Sequence, residues 1–247
     1  MAEQNNYTGT GDHYNNVELI KQNILNVMEN IAKYAALANR DINEITLIGV
    51  SKFFPAQTAE NAVKAGLDDL GENRVGDLIE KQDILASHDF FPNWHLIGTL
   101  QRKKVKQIIG RTALIHSVDT MGLLEEISRR SVEEGIITPV LIQMNTSGEE
   151  SKHGFYPDDL SSIIEKLHGL TGADLQGMMT MAPLTQDEKV LHDVFSQTHE
   201  LFIKMKSEVR SPSFQILSMG MSNDYRIAIL HGATHLRIGT AIFGLRT

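Results

Sequence analysis

The chain of 247 residues contains no cysteine. Disulfide scaffolds, thiolate zinc sites and cysteine nucleophiles are therefore excluded, and a reducing cytosol suits the composition. Positive charge is in deficit: 23 Lys and Arg stand against 31 Asp and Glu, a net charge of −8, so nucleic acid is not the expected partner. No apolar run approaches the roughly 20 residues of a membrane-spanning helix, and Met1 to Asn16 lack the apolar core of a secretion signal. A soluble cytoplasmic protein is expected. Neither Gly-x-Gly-x-x-Gly, a Walker loop nor Gly-x-Ser-x-Gly occurs, so dinucleotide, nucleotide-triphosphatase and serine-hydrolase readings lack their motifs. No long Pro/Gly/Ser linker or internal repeat divides the chain.

What the chain does contain is a rhythm. Residues 1–16 carry too few apolar side chains to anchor them and are expected to form a mobile segment, leaving 17–247 as a single domain. Val17, Ile20, Ile24, Val27, Met28, Ile31 and Tyr34 recur at three- and four-residue steps, which predicts an amphipathic helix to Leu37. Short runs rich in branched residues then alternate with helical stretches. Eight strands are predicted, at 46–51, 69–73, 94–98, 114–118, 140–144, 175–179, 214–218 and 236–239. Helices are predicted at 58–65, 103–109, 122–134, 158–167, 187–209 and 224–230. Eight strands separated by helices predict an α/β fold, a single (β/α)8 TIM barrel with an extra N-terminal helix; an open doubly wound sheet is the alternative.

In such a barrel the C-terminal strand ends carry the chemistry. Lys52 follows Leu47-Ile-Gly-Val50 directly and lies beside Phe53 and Phe54. Its residue type and place suit either a lysine that snorkels into solvent or a desolvated amine that attacks an aldehyde to form a Schiff base. Ser218-Met-Gly-Met-Ser222 and Gly239-Thr240 gather small residues, hydroxyls and backbone N–H groups at the ends of strands seven and eight, where barrels bind phosphate; an ordinary turn and helix cap is the other reading. His231 and His235 have the spacing of metal ligands on a helix, but Gly232 interrupts them and no metal site is assigned. Arg102-Lys-Lys-Val-Lys106 reads as a solvated helix face.

Val50-Ser-Lys52-Phe-Phe-Pro55, Gly71-Glu-Asn73, Trp94-His-Leu-Ile-Gly98, Leu100-Gln101, Ser151-Lys-His-Gly154, Leu217-Ser-Met-Gly-Met-Ser222 and Arg237-Ile-Gly-Thr240 agree in order and spacing with one family. Over about residues 17–246 the chain resembles the pyridoxal phosphate homeostasis proteins, the YggS/PROSC family. The resemblance implies a barrel similar to the N-terminal domain of alanine racemase (fold type III), with pyridoxal 5′-phosphate (PLP) as cofactor. It implies an internal aldimine on Lys52, a phosphate held by Ser222, Gly239 and Thr240, Arg237 facing the pyridine nitrogen, and Asn73 and Ser218 lining the site. Phe53 departs from a Thr common in relatives, and Arg102-Lys103 from a Ser-Asn.

An arginine beside the ring nitrogen disfavours its protonation and so weakens the cofactor as an electron sink. The chain ends at Thr247, where alanine racemase continues into a second domain that supplies a tyrosine base across a dimer; a two-base racemase needs both bases. The implied function is a non-catalytic, monomeric PLP carrier in vitamin B6 homeostasis that contacts apoenzymes transiently. The alternative is a small PLP-dependent racemase-like enzyme, in which Lys52 is the catalytic base. An aldolase-like barrel using Lys52 without PLP is a third reading.

Overall fold

The computed structural model describes residues 16–146, 153–167 and 169–245. Eight parallel strands close in sequence order: β1 Thr46–Val50, β2 Asp69–Glu72, β3 Asn93–Leu96, β4 Leu114–Val118, β5 Thr138–Met144, β6 Ala173–Thr180, β7 Ile216–Ser218 and β8 His235–Ile238. The seam is β8 on β1, in register from Thr46 opposite His235 to Gly49 opposite Ile238. All eight predicted strands are present, with ends shifted by no more than two residues, and the closed barrel displaces the open-sheet alternative.

The described helices are α1 Val17–Leu37, α2 Ala56–Lys64, α3 Val75–Ser87, α4 Val105–Ile108, α5 Met121–Glu133, α6 Leu160–Leu167, α7 Glu188–Val209, α8 Tyr225–Leu230 and α9 Thr240–Phe243. Asn16, assigned above to the N-terminal segment, instead caps α1: its side chain accepts from the N–H groups of Glu18 and Leu19. The remainder of that segment lies outside the described residues. Helix α3 was not predicted from the sequence. Its inward stripe is Val75, Leu78, Lys81 and Leu85, and the lysine in the middle of the stripe breaks the apolar pattern.

The helix that follows β8 is one turn long, too short to cover the sheet. Helix α1 makes up the difference by packing against α2, α8 and α9. Asn23 donates to the Ile242 carbonyl at 2.9 Å, and Arg40 donates to the carbonyls of Ile229 and Ala233 at 3.2 and 2.8 Å. Ile20, Val27 and Ile31 complete the contact from the buried face of α1.

Strand side chains alternate between the helices and the barrel axis. A Cβ at Gly49 would meet Leu67 and Phe243, whereas one at Gly71 would meet Ile48, Val50 and Ile97, so Gly71 has the inward parity. Inside the barrel, Leu114, Leu141 and Met179 form a small apolar layer separate from the main core, which lies between strands and helices. The rest of the interior is unusually polar. His95, His116, Ser218 and Arg237 are all buried and hydrogen-bonded in a row, and the His116–Ser218 link joins β4 to β7, which are not sheet neighbours, and so crosses the lumen.

Two outcomes follow from this packing. Gly177 has φ of +153°, and a Cβ there would lie 1.8 Å from the Ile216 carbonyl oxygen. Gly177→Ala is expected to cost more than about 2 kcal/mol of stability, whereas Gly76→Ala, on α3 with open space around it, should add about 0.5 kcal/mol; urea melts of both variants check the contrast. Burial, reinforced by neighbouring His95, lowers the pKa of His235 from 6.5 to about 4. The unfolded chain then takes up that proton first, so the His235 contribution to stability is lost as pH falls from 6.5 towards 4. His235→Gln is expected to flatten the fall in urea midpoint over that window relative to the wild type.

Candidate functional site

At the C-terminal ends of the strands a cavity of about 630 Å³ opens. Six of the seven residues expected to form a site line it: Lys52, Asn73, Ser222, Arg237, Gly239 and Thr240. They come from the ends of β1, β2, β7 and β8, and only barrel closure makes these ends neighbours.

Lys52 stands on a turn. The N–H of Phe54 donates to the Ser51 carbonyl at 3.1 Å, closing residues 51–54, and Phe53 occupies the third position with φ of +70°. That position favours glycine or asparagine, so a phenylalanine there is held by its surroundings. The Arg74 guanidinium lies 5.6 Å from the Phe53 ring and the Lys52 ammonium 6.0 Å from it. The desolvated amine suggested by the sequence is not what the fold provides, because Lys52 is exposed: it follows the end of the strand and extends into the cavity mouth.

The turn rests on a buried ion pair. Lys81, the residue that interrupted the α3 stripe, donates to Glu72 Oε1 at 2.5 Å and to the Ser51 carbonyl at 2.8 Å. Ser51 Oγ donates to the same carboxylate oxygen at 2.7 Å. Burial pushes the Glu72 carboxyl above its ordinary value, and the Lys81 charge opposes that shift. Ser51, Glu72 and Lys81 thus clamp the backbone immediately before Lys52. Glu72 stands out in the sequence only as the middle residue of Gly71-Glu-Asn73, and Lys81 gives no signal because a buried lysine resembles a surface one until its partner is known.

The opposite wall is built from β7 and β8. Ser222 Oγ accepts the N–H groups of Gly239 at 3.2 Å and Ala241 at 3.3 Å. A hydroxyl that accepts twice keeps its own proton free to donate. The Met221 N–H is bound by Asp224 Oδ1 at 2.6 Å, which fixes the loop carrying Ser222, and burial raises the Asp224 carboxyl. Gly220, at φ of +94°, lets this loop pass against Tyr225 and Ala228.

Arg237 forms the floor. It is buried, donating through Nη1 to Ser218 Oγ at 2.5 Å and through Nη2 to the Thr180 carbonyl at 2.8 Å. Burial lowers its pKa to about 10, with Asp224 opposing the shift, so it remains a cation at neutral pH. Ser218 differs from expectation. It lies beneath the cavity wall, fully buried, with its hydroxyl engaged by Arg237 and His116, and so it reaches the cavity only through Arg237.

The sequence reading missed the contributions of β3 and β6. Gly98 and Thr99 line the cavity, as do Met181 to Thr185. A Cβ at Gly98 would fall 2.3 Å from the Asn73 carbonyl, so the glycine permits the close approach of these two loops. The Met181-Ala-Pro183 run after β6 is a mostly apolar loop start whose composition gave no polar signal. His231 and His235 are not joint ligands: His231 pairs with His192 at 2.8 Å, while His235 faces the barrel interior near His95 and His116. Among the described residues no group of three or more His, Asp or Glu is arranged to hold a metal ion. Arg102 and Lys103 are exposed on a 3-10 turn, as expected of a solvated face. No described helix is long and apolar enough to cross a membrane. Ser151 and Lys152 of the Ser151-Lys-His-Gly154 motif lie outside the described residues.

Comparison with known proteins places this geometry. The family model of the alanine racemase N-terminal domain matches residues 24–247. A pyridoxal phosphate homeostasis protein of Aquifex aeolicus is 37% identical over 220 residues, covering 89% of this chain and 95% of the relative. One from Pseudomonas aeruginosa is 37% identical over 227 residues, covering 92% and 96%. The solved structure of PipY from Synechococcus elongatus with PLP bound superposes with a TM-score of 0.76 at 33% identity, covering 87% of this chain and all of that one. On the strength of these matches and of the barrel they share, the chain belongs to the family of pyridoxal phosphate homeostasis proteins with the alanine racemase N-terminal fold.

Proposed function

We propose that this protein binds pyridoxal 5′-phosphate as an internal aldimine on Lys52 and supplies it to apoenzymes, as a cytoplasmic, monomeric carrier in intracellular vitamin B6 homeostasis. The observation that carries the reading is one cavity in which an exposed lysine amine faces a set of phosphate donors, with a buried arginine at its floor. A homologue solved with PLP bound, and relatives named for PLP homeostasis, support it.

The residues present fit the cofactor. The Ser222 hydroxyl, with its proton free, and Thr240 and Gly239 beside it form a donor set suited to a phosphate. Asn73 Oδ1 is shielded from solvent and has no hydrogen-bond partner, so a polar ring substituent would complete its bonding. When bound, the cofactor would supply an aldehyde able to condense with the Lys52 amine, with loss of water. Arg237, a cation at neutral pH, would keep a pyridine nitrogen placed against it an acceptor and so restrain carbanion chemistry at the site.

A carrier is favoured over a racemase by the groups on the cavity wall. A two-base racemase needs proton-exchanging groups on both faces of its substrate. Among the described lining residues there is no Tyr or His, and Asp224 is committed to the Met221 N–H. Lys52 is left as the one amine, and an exposed amine at the mouth of a cavity suits exchange of a covalently held aldehyde with an incoming partner.

Purified protein incubated with PLP is expected to show a near-visible band that borohydride abolishes, leaving a phosphopyridoxyl adduct on the peptide containing Lys52; Lys52→Ala should show neither. A band and adduct that survive in Lys52→Ala would refute the assignment. Loaded protein is also expected to reactivate a cofactor-free PLP enzyme faster than the same total concentration of free PLP, and equal or slower reactivation would remove the supply role.

A further inference from the structure

A continuous line of buried side chains runs through the barrel from the N-terminal rim to the cavity floor. Asp69 opens β2 at the end of the barrel opposite the cavity, with its side chain 20% exposed. Its Oδ1 lies 2.9 Å from His95 Nε2; His95 Nδ1 lies 3.0 Å from His116 Nε2; His116 Nδ1 lies 2.9 Å from Ser218 Oγ; and Ser218 Oγ accepts from Arg237 Nη1 at 2.5 Å. The members come from β2, β3, β4, β7 and β8, so the line crosses the lumen.

Hydrogen-bonding capacity orients every link. A carboxylate only accepts and a guanidinium only donates, so the two ends are fixed. With neutral imidazoles between them, His95 donates from Nε2 to Asp69 and its bare Nδ1 accepts from His116 Nε2. The bare Nδ1 of His116 then accepts from Ser218, whose oxygen is left to accept from Arg237. Each donor points the same way, from the cation to the anion, and both histidines are required to be Nε2–H tautomers. The chain has one proton per link and no unsatisfied member. His116 is fully buried, and that burial, with His95, Arg237 and His235 nearby, holds it in the neutral form well below its ordinary range.

We propose that Asp69, His95, His116 and Ser218 are positioning residues for Arg237, a hydrogen-bonded chain that fixes the guanidinium's orientation and couples the far rim of the barrel to cofactor binding. The inference rests on the reading of Arg237 as the partner of the PLP ring nitrogen. No proton is transferred; the chain works by polarity. Asp224, at the start of α8, is the anion whose charge acts on Arg237, and Asp69 serves as the terminal acceptor that fixes the direction of the chain. The other titratable group facing the chain is His235 on β8, with its ring centroid 6.3 Å from those of both His95 and His116. Arg237 Nη2 is fixed separately by the Thr180 carbonyl, so the chain decides the remaining freedom of the fork.

The chain is tested in two ways. In wild-type protein at neutral pH, nitrogen-15 NMR of the imidazoles is expected to show His95 and His116 neutral, each protonated on Nε2; a charged ring, or an Nδ1–H tautomer at either residue, overturns the assignment and requires no variant to fold. The second test is a double-mutant cycle on PLP affinity, followed by cofactor absorbance, with thermal melts to establish that the variants are folded. Asp69→Asn and Ser218→Ala are each expected to weaken binding about three- to tenfold, and the double variant no more than Ser218→Ala alone, because the chain is already cut. Multiplicative losses, or an Asp69→Asn variant that binds as the wild type does, overturn the coupling. A wild type that binds no PLP defeats the functional reading instead, and the NMR result still decides the chain's orientation.

Discussion

Closure of eight parallel strands aims every second side chain at a single axis, and that constraint organises this molecule. The same parity that sends Ile48 and Val50 inward on β1 sends Lys52 into the cavity beyond the strand end. On β8 it stacks His235, Arg237 and Gly239 from the rim to the mouth. Cavity-lining residues and interior packing residues are thus successive members of the same rows, and neither set moves without the other.

The interior departs from the usual stack of branched apolar layers. Only a small apolar cluster separates from the main core, and much of the lumen holds histidines, a serine and an arginine that satisfy one another. Buried polar groups are tolerated when every member is paired, and the penalty for losing one is high. Such a row, with each member bonded to the next, gives the cavity a fixed floor. The clamp of Ser51, Glu72 and Lys81 does for the backbone before Lys52 what the Ser218 link does for the Arg237 guanidinium: each holds a cavity-lining residue from behind with groups that do not line the cavity.

The cavity-lining residues that were legible before any coordinates share a property. Lys52, Asn73, Ser222, Gly239 and Thr240 sit where apolar runs stop, so strand periodicity alone marks their position, and a barrel's polarity assigns them to one mouth. Those that escaped notice were of two kinds. Lys81 and His116 lie within elements, where a charged or polar residue is read as facing solvent unless its partner is seen. Gly98 and Met181 to Thr185 contribute shape and apolar surface, which no residue type announces. Ser218 also ends an apolar run, but its hydroxyl is engaged by Arg237 and by His116, 102 positions away in sequence, and it does not line the cavity.

By itself the sequence determined the strand count, the places of the strands along the chain and the family, because these follow from local periodicity and from motifs read along the chain. Tertiary structure alone decided that Lys52 is exposed at the mouth, that α1 covers the gap left by the short helix after β8, and that two histidines and a serine link Asp69 to Arg237. Such facts depend on which strand ends become neighbours when the barrel closes, and contacts across a lumen leave no periodic trace along the chain.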